Sequence, residues 1–357
     1  MKISTPGRIC LFGEHQDYLG LPVIATAISK KISVSGQKRT DSQVIINAPD
    51  LGQVERFELN DVYPYRKERD YYRSAIHVLQ KRGFEFSTGF EIEVRGNIPI
   101  NSGTSSSSAL VVSWVNFLSQ NADNPQKLSP KVIAEIANQA EVLEFGEPGG
   151  MMDHYSTAIG NVIYLESVPE IKVESLKPNL GAFVLGDSLQ AKDTIGILSR
   201  CRFGMEAMLK KVKDYDSNFS IYTFESDFLN DYKPILSKDE FELFQANISD
   251  RDILIEGKNV LSDSEIDHKN FGKLLYSHFE NLRDYKQTST PKINRMVEAA
   301  MVAGALGGKI NGSGGGGCMF AYAPKNPEIV AEAIEIEGGK AYIIEVAEGT
   351  KNYDNNQ

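Results

Sequence analysis

Cysteine is scarce in this chain of 357 residues: Cys10, Cys201 and Cys318 are its only three. They are odd in number and far apart, which argues against a disulfide framework or a zinc site and for reduced thiols in a cytoplasmic protein. Basic residues are also in deficit, 38 Lys and Arg against 48 Asp and Glu, for a net charge of −10. That balance disfavours a general nucleic-acid surface, although local N–H groups and a metal ion can still bind an anionic nucleotide. No run of about 18 apolar residues could span a membrane, and the first residues lack the apolar core of a signal peptide. What remains is the profile of a soluble globular protein, 41% hydrophobic and 24% charged, with room for two domains.

The most informative segment is 97–109, Asn-Ile-Pro-Ile-Asn-Ser-Gly-Thr-Ser-Ser-Ser-Ser-Ala, which runs into an apolar stretch over 110–118. A Gly/Ser-rich turn that opens a helix presents unpaired N–H groups and the positive end of the helix dipole, a geometry that binds phosphate. The lysine of a Walker A loop is missing, so this is a phosphate cradle of another kind.

Alternation predicts strands at 9–12, 23–28, around Ile32 and Val34, at 44–46, 90–94 and 162–165. Helical spacing marks 71–82 and 131–144, the latter with Ile133, Ile136, Ala137, Ala140 and Leu143 on one stripe. A second half begins near Gly181 with a buried-looking strand over 182–185. Helices follow near 192–213, 239–257, 264–284 and 292–303, then a glycine-dense hairpin over 307–322, a helix near 327–336 and a strand over 341–346. Without regular βαβ repetition the class is α+β, divided into 1–180 and 181–357. Residues 351–357 read as a polar frayed tail.

Two further segments concentrate chemistry. In 6–20, Arg8, Glu14, His15 and Asp17 flank a short apolar run, and this turn could bind sugar hydroxyls, hold a metal or simply be solvated. In the hairpin, Gly312, Gly314 and Gly317 formally fit a dinucleotide fingerprint, but that loop should open a helix. Here residues 318–322 read as a strand closed by Pro324, so a tight turn packed near the phosphate loop is the better reading.

Pro6-Gly-Arg-Ile-Cys-Leu-Phe-Gly-Glu-His-Gln-Asp-Tyr18, the 99–109 loop and the 309–318 hairpin resemble, in order, the three motifs of the GHMP kinases. Of these the galactokinase branch is the most similar. Ala140-Glu141, Gly150-Met-Met-Asp153, Ser277-His278, Leu282-Arg-Asp284 and Pro291 extend the resemblance over nearly the whole chain. It implies two α+β domains with the active site in the cleft between them, a monosaccharide as acceptor, and ATP and Mg²⁺ as cofactors. By the same resemblance Asp153 is the catalytic aspartate and Arg8 its partner. Ser107 (or Ser106) and Glu141 hold the magnesium ion. Gly103, Thr104, Ser105, Ser106, Ser107 and Ser108 cradle the phosphates. Glu14, His15, Asp17 and Gly150 contact the sugar. His154 stands where galactokinases usually carry glutamine and is either structural or a specificity contact.

Four departures bear on the acceptor. Phe12 is closer to mevalonate kinases, and Cys10 replaces an asparagine common in galactokinases. Asn101, Ser102 and Thr104 replace the usual Gly or Ala and Leu. A Ser-Glu-Tyr segment of galactokinases is missing, and 186–196 stands in its place, with Lys192 and Asp193 as candidate contacts. A mevalonate-type or other small-alcohol kinase and a non-catalytic sugar and ATP sensor are the rival readings. Asp17-Tyr18 favours a sugar, because the mevalonate branch typically has apolar residues there. The sequence leaves the sugar, the hydroxyl and the oligomeric state open.

Overall fold

A computed structural model describes residues 1–100, 102–147, 149–191 and 194–353. Lys192 and Asp193 therefore lie outside the described residues. The first part of the chain forms β1 (Lys2–Phe12), β2 (Val23–Lys38), β3 (Gln43–Ala48), β4 (Gln53–Glu58), α1 (Tyr71–Lys81), β5 (Phe90–Gly96), α2 (Ser106–Asn121), α3 (Pro130–Glu141), α4 (Met152–Ile159), β6 (Val162–Glu166) and β7 (Lys172–Leu176). The second part forms β8 (Phe183–Asp187), α5 (Thr194–Tyr215), α6 (Lys238–Ser262), α7 (His268–Glu280), α8 (Pro291–Val302), β9 (Gly307–Ile310), β10 (Cys318–Tyr322), α9 (Pro327–Ile336), β11 (Lys340–Ile344) and β12 (Lys351–Tyr353). The fold is α+β, as the sequence predicts.

Two sheets carry the strands. In one the order is β12-β1-β2-β5-β3-β4, with β6 on the first residues of β2 and β7 beyond it; in the other it is β11-β8-β10-β9. Helices α1 to α4 pack against the first sheet around α2. Nearly every residue of α2 from Ser108 to Ser119 is buried, so its apolar run has no polar face to offer and it becomes the central helix. Trp114, the single tryptophan, sits on it, donating Nε1–H to the Tyr72 carbonyl at 3.1 Å. β1 is buried on both faces. Cys10 joins the core under α2, whereas Ile9, Leu11 and Phe12 join a second core with α6, α7 and β10. That strand couples the two sheets.

Three expectations need correction. The 351–357 tail is not frayed at its start: β12 pairs with β1, Lys2 opposite Tyr353, satisfying an edge that would otherwise expose N–H and C=O groups. The strand also returns the chain end to the first sheet, across the division at 180. Helix α3 stops at Glu141 and gives way to a 3₁₀ turn over Leu143–Phe145, closed by left-handed Gly146, so Leu143 leaves the apolar stripe and is exposed. Helix α4 has too few residues for a periodic signal, so periodicity does not reveal it. The region near 264–284 is α7 followed by a π turn over Asn281–Tyr285, a feature often found at functional sites.

Helix α7 approaches β9 so closely that a Cβ at Gly272 would run into the Leu306 carbonyl. Gly272→Ala should therefore destabilise the fold by about 1–3 kcal/mol. Urea unfolding would show this as a lower midpoint at an unchanged slope.

Candidate functional site

The site is built where the end of β1 meets the tip of α2. Arg8 is almost completely buried on β1. Its Nε donates to Asp153 Oδ1 at 2.9 Å, its Nη2 lies 2.7 Å from the same oxygen in an ion pair, and its Nη1 donates to the Gly103 carbonyl. Its backbone N–H also donates to Thr104 O at 3.1 Å. One side chain thus ties the carboxylate at the start of α4 to the loop before α2. Burial works to raise the Asp153 carboxyl, but Arg8 and the nearby Ser105 hydroxyl outweigh it and hold the group below the usual carboxylate range. Asp153 is therefore ionised at neutral pH, with its side chain 31% exposed.

The loop itself is stiffened from within. Gly103 and Ser105 both have positive φ (84° and 60°), which turns the chain sharply into α2. The Ser102 hydroxyl donates to Pro99 O at 2.7 Å, and the Thr104 hydroxyl to the same carbonyl at 3.3 Å. The Thr104 side chain is thereby an internal strut, leaving only its backbone to face a phosphate. Ser106 is half-buried, Ser107 exposed and Ser108 buried at the first turn of α2, where the N–H groups have no partner within the helix.

The glycine hairpin between β9 and β10 packs on this loop, and β10 is a strand, as expected. Cys318 N donates to Ser102 O at 2.8 Å, and Asn311 Nδ2 donates to Gly103 O at 2.8 Å. Asn311 Oδ1 in turn accepts from Cys10 N at 2.9 Å. Gly315 N donates to Thr288 O at 2.8 Å, which rests the hairpin on the segment after the π turn. That segment is anchored by a buried ion pair, Lys286 with Asp250 of α6 at 2.6 Å.

Glu14 and His15 differ from their expected role as sugar contacts. Both carboxylate oxygens of Glu14 are engaged, one by Lys309 Nζ and the other by the Gly312 N–H, and all three groups are buried. Burial raises the Glu14 carboxyl, and the lysine and the N–H pull it back. Lys309 Nζ also donates to the Cys10 carbonyl at 3.0 Å. His15 contacts Ser313 O at 3.0 Å through Nε2 and Tyr18 Oη at 3.2 Å through Nδ1. Both residues face the hairpin because the turn after β1 passes directly beneath it. Lys309 and Asn311 are site residues beyond those expected from the sequence, although a lysine and an asparagine amid the apolar and glycine positions of β9 and its turn are a signal.

Asp17 and Gly150, by contrast, line one cavity of about 230 Å³ with Tyr18, Leu21, Val23, Met151, Met152, Leu165, Ser167 and Arg202. Burial pushes the Asp17 carboxyl up to about 6; the Tyr18 N–H, a hydrogen-bond donor at 3.0 Å, works against this and the Asp153 charge adds to it. A Cβ at Gly150 would overlap the Asp17 carboxylate, so only glycine leaves that group in place. Further along, Glu141 Oε2 meets His154 Nε2 at 2.7 Å, both side chains buried. His154 is thus a partner of Glu141 rather than part of the cavity wall. Glu141 Oε1 and the serine hydroxyls at the start of α2 are hard oxygen donors of the kind magnesium prefers. No hydrogen bond among the described residues joins Ser107 to Glu141.

The Glu14–Lys309 pair spans 295 residues of chain, and breaking it strands a buried charge. Lys309→Met should cost about 3–5 kcal/mol. The double variant Glu14→Gln/Lys309→Met should recover part of that loss in a double-mutant cycle of urea unfolding, and simple additivity would contradict a direct pair.

Similarity to known proteins agrees with this geometry. The GHMP kinases N terminal domain matches residues 70–161, the GHMP kinases C terminal domain 260–340, and the galactokinase galactose-binding signature 2–38. The chain is 30% identical to a mevalonate kinase of Pyrococcus furiosus, over 98% of each chain. It is also 30% identical to a galactokinase of Mannheimia succiniciproducens, over 91% of this chain and 85% of that one. Its fold is similar to that of Lactococcus lactis galactokinase complexed with galactose, with a TM-score of 0.85 at 21% identity over 99% of this chain and 95% of the other. Full-length similarity to two kinds of small-molecule kinase, with both domain matches in order, places the chain in the GHMP kinases, enzymes that take their phosphoryl group from ATP.

Proposed function

We propose that this kinase phosphorylates a hydroxyl of a monosaccharide, the anomeric one, using ATP with Mg²⁺. The observation that carries this reading is the Arg8–Asp153 pair at the phosphate loop, electrostatically coupled to an Asp17 that lines a small cavity. Asp153 orients the attacking hydroxyl and takes its proton, and Arg8 keeps that carboxylate ionised while offsetting charge on the moving phosphoryl group. The N–H groups of Gly103 to Ser108 hold the β- and γ-phosphates. Glu141 and a serine of the first turn of α2, Ser107 or Ser106, would hold the metal ion, whose chemistry is neutralisation of phosphate charge. Asp17 accepts from a sugar hydroxyl, and Gly150 leaves room for it. Three buried cysteines, none of them in a disulfide, support a cytoplasmic setting.

The galactose-binding signature over 2–38 and the Asp17-Tyr18 pair support a sugar over mevalonate. The similarity to mevalonate kinases keeps that acceptor as the second reading. Intact Arg8 and Asp153, paired in the catalytic arrangement, weigh against a silent sensor. A coupled ADP-release screen over hexoses, pentoses, amino sugars and mevalonate decides the acceptor, and turnover of mevalonate alone would refute the sugar reading.

Asp153→Asn should lower kcat by about 10²–10⁴-fold. Binding of a non-hydrolysable ATP analogue, followed by calorimetry, should persist. Wild-type turnover would remove Asp153 from the mechanism. The Asp17 carboxyl, near 6, accepts from a hydroxyl more strongly when ionised, so kcat/KM for the acceptor should fall as pH drops through about 6. Asp153 stays ionised over that range. Asp17→Asn should abolish this acidic limb, and its persistence would assign the limb to another group.

A further inference from the structure

The acceptor cavity carries a positive charge that a neutral sugar does not require. Arg202, on α5, lines the same cavity as Asp17 and Gly150. Its Nε donates to Glu206 Oε1 at 2.8 Å, one helical turn on, and its guanidinium lies 5.9 Å from the centre of the Tyr18 ring. Among the described residues its Nη1 and Nη2 have no hydrogen-bond partner. Glu206 is 41% exposed, so the intrahelical pair is a weak surface contact that leaves the guanidinium charge usable. The rest of the wall is mostly apolar, from Leu21 to Met152 and Leu165. Among the described residues Asp17 and Arg202 are therefore its two charged groups, of opposite sign, and they interact electrostatically.

A planar guanidinium with two free N–H groups matches a carboxylate in two parallel hydrogen bonds. At about 230 Å³ the cavity lies below the range of about 300–1,000 Å³ for drug-sized ligands, which suits a single small ring.

We propose that the acceptor is an acidic monosaccharide, a hexuronic acid, whose carboxylate is held by Arg202 while Asp17 takes its hydroxyls. This rests on the sugar-kinase reading and narrows it. Arg202 acts in binding, so its loss is felt in KM more than in kcat. The arginine belongs to α5, the helix that begins within the stretch 186–196 where the galactokinase tyrosine segment is missing, so the altered segment and the new charge lie close together in the chain.

The test is ADP release with galacturonate, glucuronate, galactose, glucose and mevalonate, for the wild type, Arg202→Gln and Arg202→Lys. The wild type should prefer a hexuronate to the corresponding neutral hexose by about tenfold or more in kcat/KM. Loss of a charge-assisted contact predicts that Arg202→Gln narrows this preference by about 10- to 100-fold, through the hexuronate KM. Arg202→Lys should retain part of it. A wild type that prefers the neutral hexose, or a preference untouched by Arg202→Gln, overturns the inference and leaves the sugar-kinase reading standing. Turnover of mevalonate alone overturns that reading and this inference together, and turnover of none of the five overturns this inference.

Discussion

A single guanidinium governs this site. Arg8 reaches from a strand at the start of the chain to a carboxylate 145 residues later and to the carbonyl of the loop before α2. Both ends of that contact serve the transfer proposed for this site. A carboxylate that takes a proton must be ionised beforehand, and a loop that cradles phosphate must be held open at a fixed distance from it. Arg8 does both because its planar fork can bond in two directions at once. Removing its charge would raise the Asp153 carboxyl and release Gly103 together.

The glycine hairpin closes the arrangement from the opposite side. Side chains are excluded there because backbone touches backbone: Cys318 N on Ser102 O, Gly315 N on Thr288 O. A Cβ at Gly314 would run into Thr288, and one at Gly316 would meet the Ala191 carbonyl at 2.6 Å. Such close contact needs fixed ends, and Glu14 with Lys309 supplies one of them from within the core. Charges buried in this way contribute more to the uniqueness of the arrangement than to its net stability. The same pair accounts for Glu14 serving as a tie between motifs rather than as a wall of the acceptor cavity.

In the proposed reading acceptor choice is decided elsewhere, on elements that do not belong to the three motifs alone. Asp17 comes from the turn after β1, Gly150 from the loop before α4, and Arg202 from α5. The chemistry of transfer and the shape of the acceptor pocket are thus carried by different parts of the chain. One can change while the other is kept, which is how kinases of sugars and of mevalonate can share one fold.

Much of the fold was legible in the residues themselves. The Gly/Ser run before α2, the alternation of β5 and β6 and the strand character of β10 each follow from local physics: dipole and N–H groups at a helix start, and period-two burial in a sheet. So does the α+β class, whereas the family follows from the resemblance of three motifs. What local physics does not contain is long-range company. The polar strand β12 forms only because β1 has an open edge. Leu143 is exposed because α3 ends two residues earlier than its apolar stripe. Glu14 and His15 look like ligands in a charged turn, yet they are consumed by Lys309 and Ser313 some 300 residues away. Hydrogen bonds of that range are set by how sheets and helices stack, and no window of sequence carries that geometry; the resemblance implies that Arg8 and Asp153 meet, but the distances and directions of that meeting are decided by the tertiary structure.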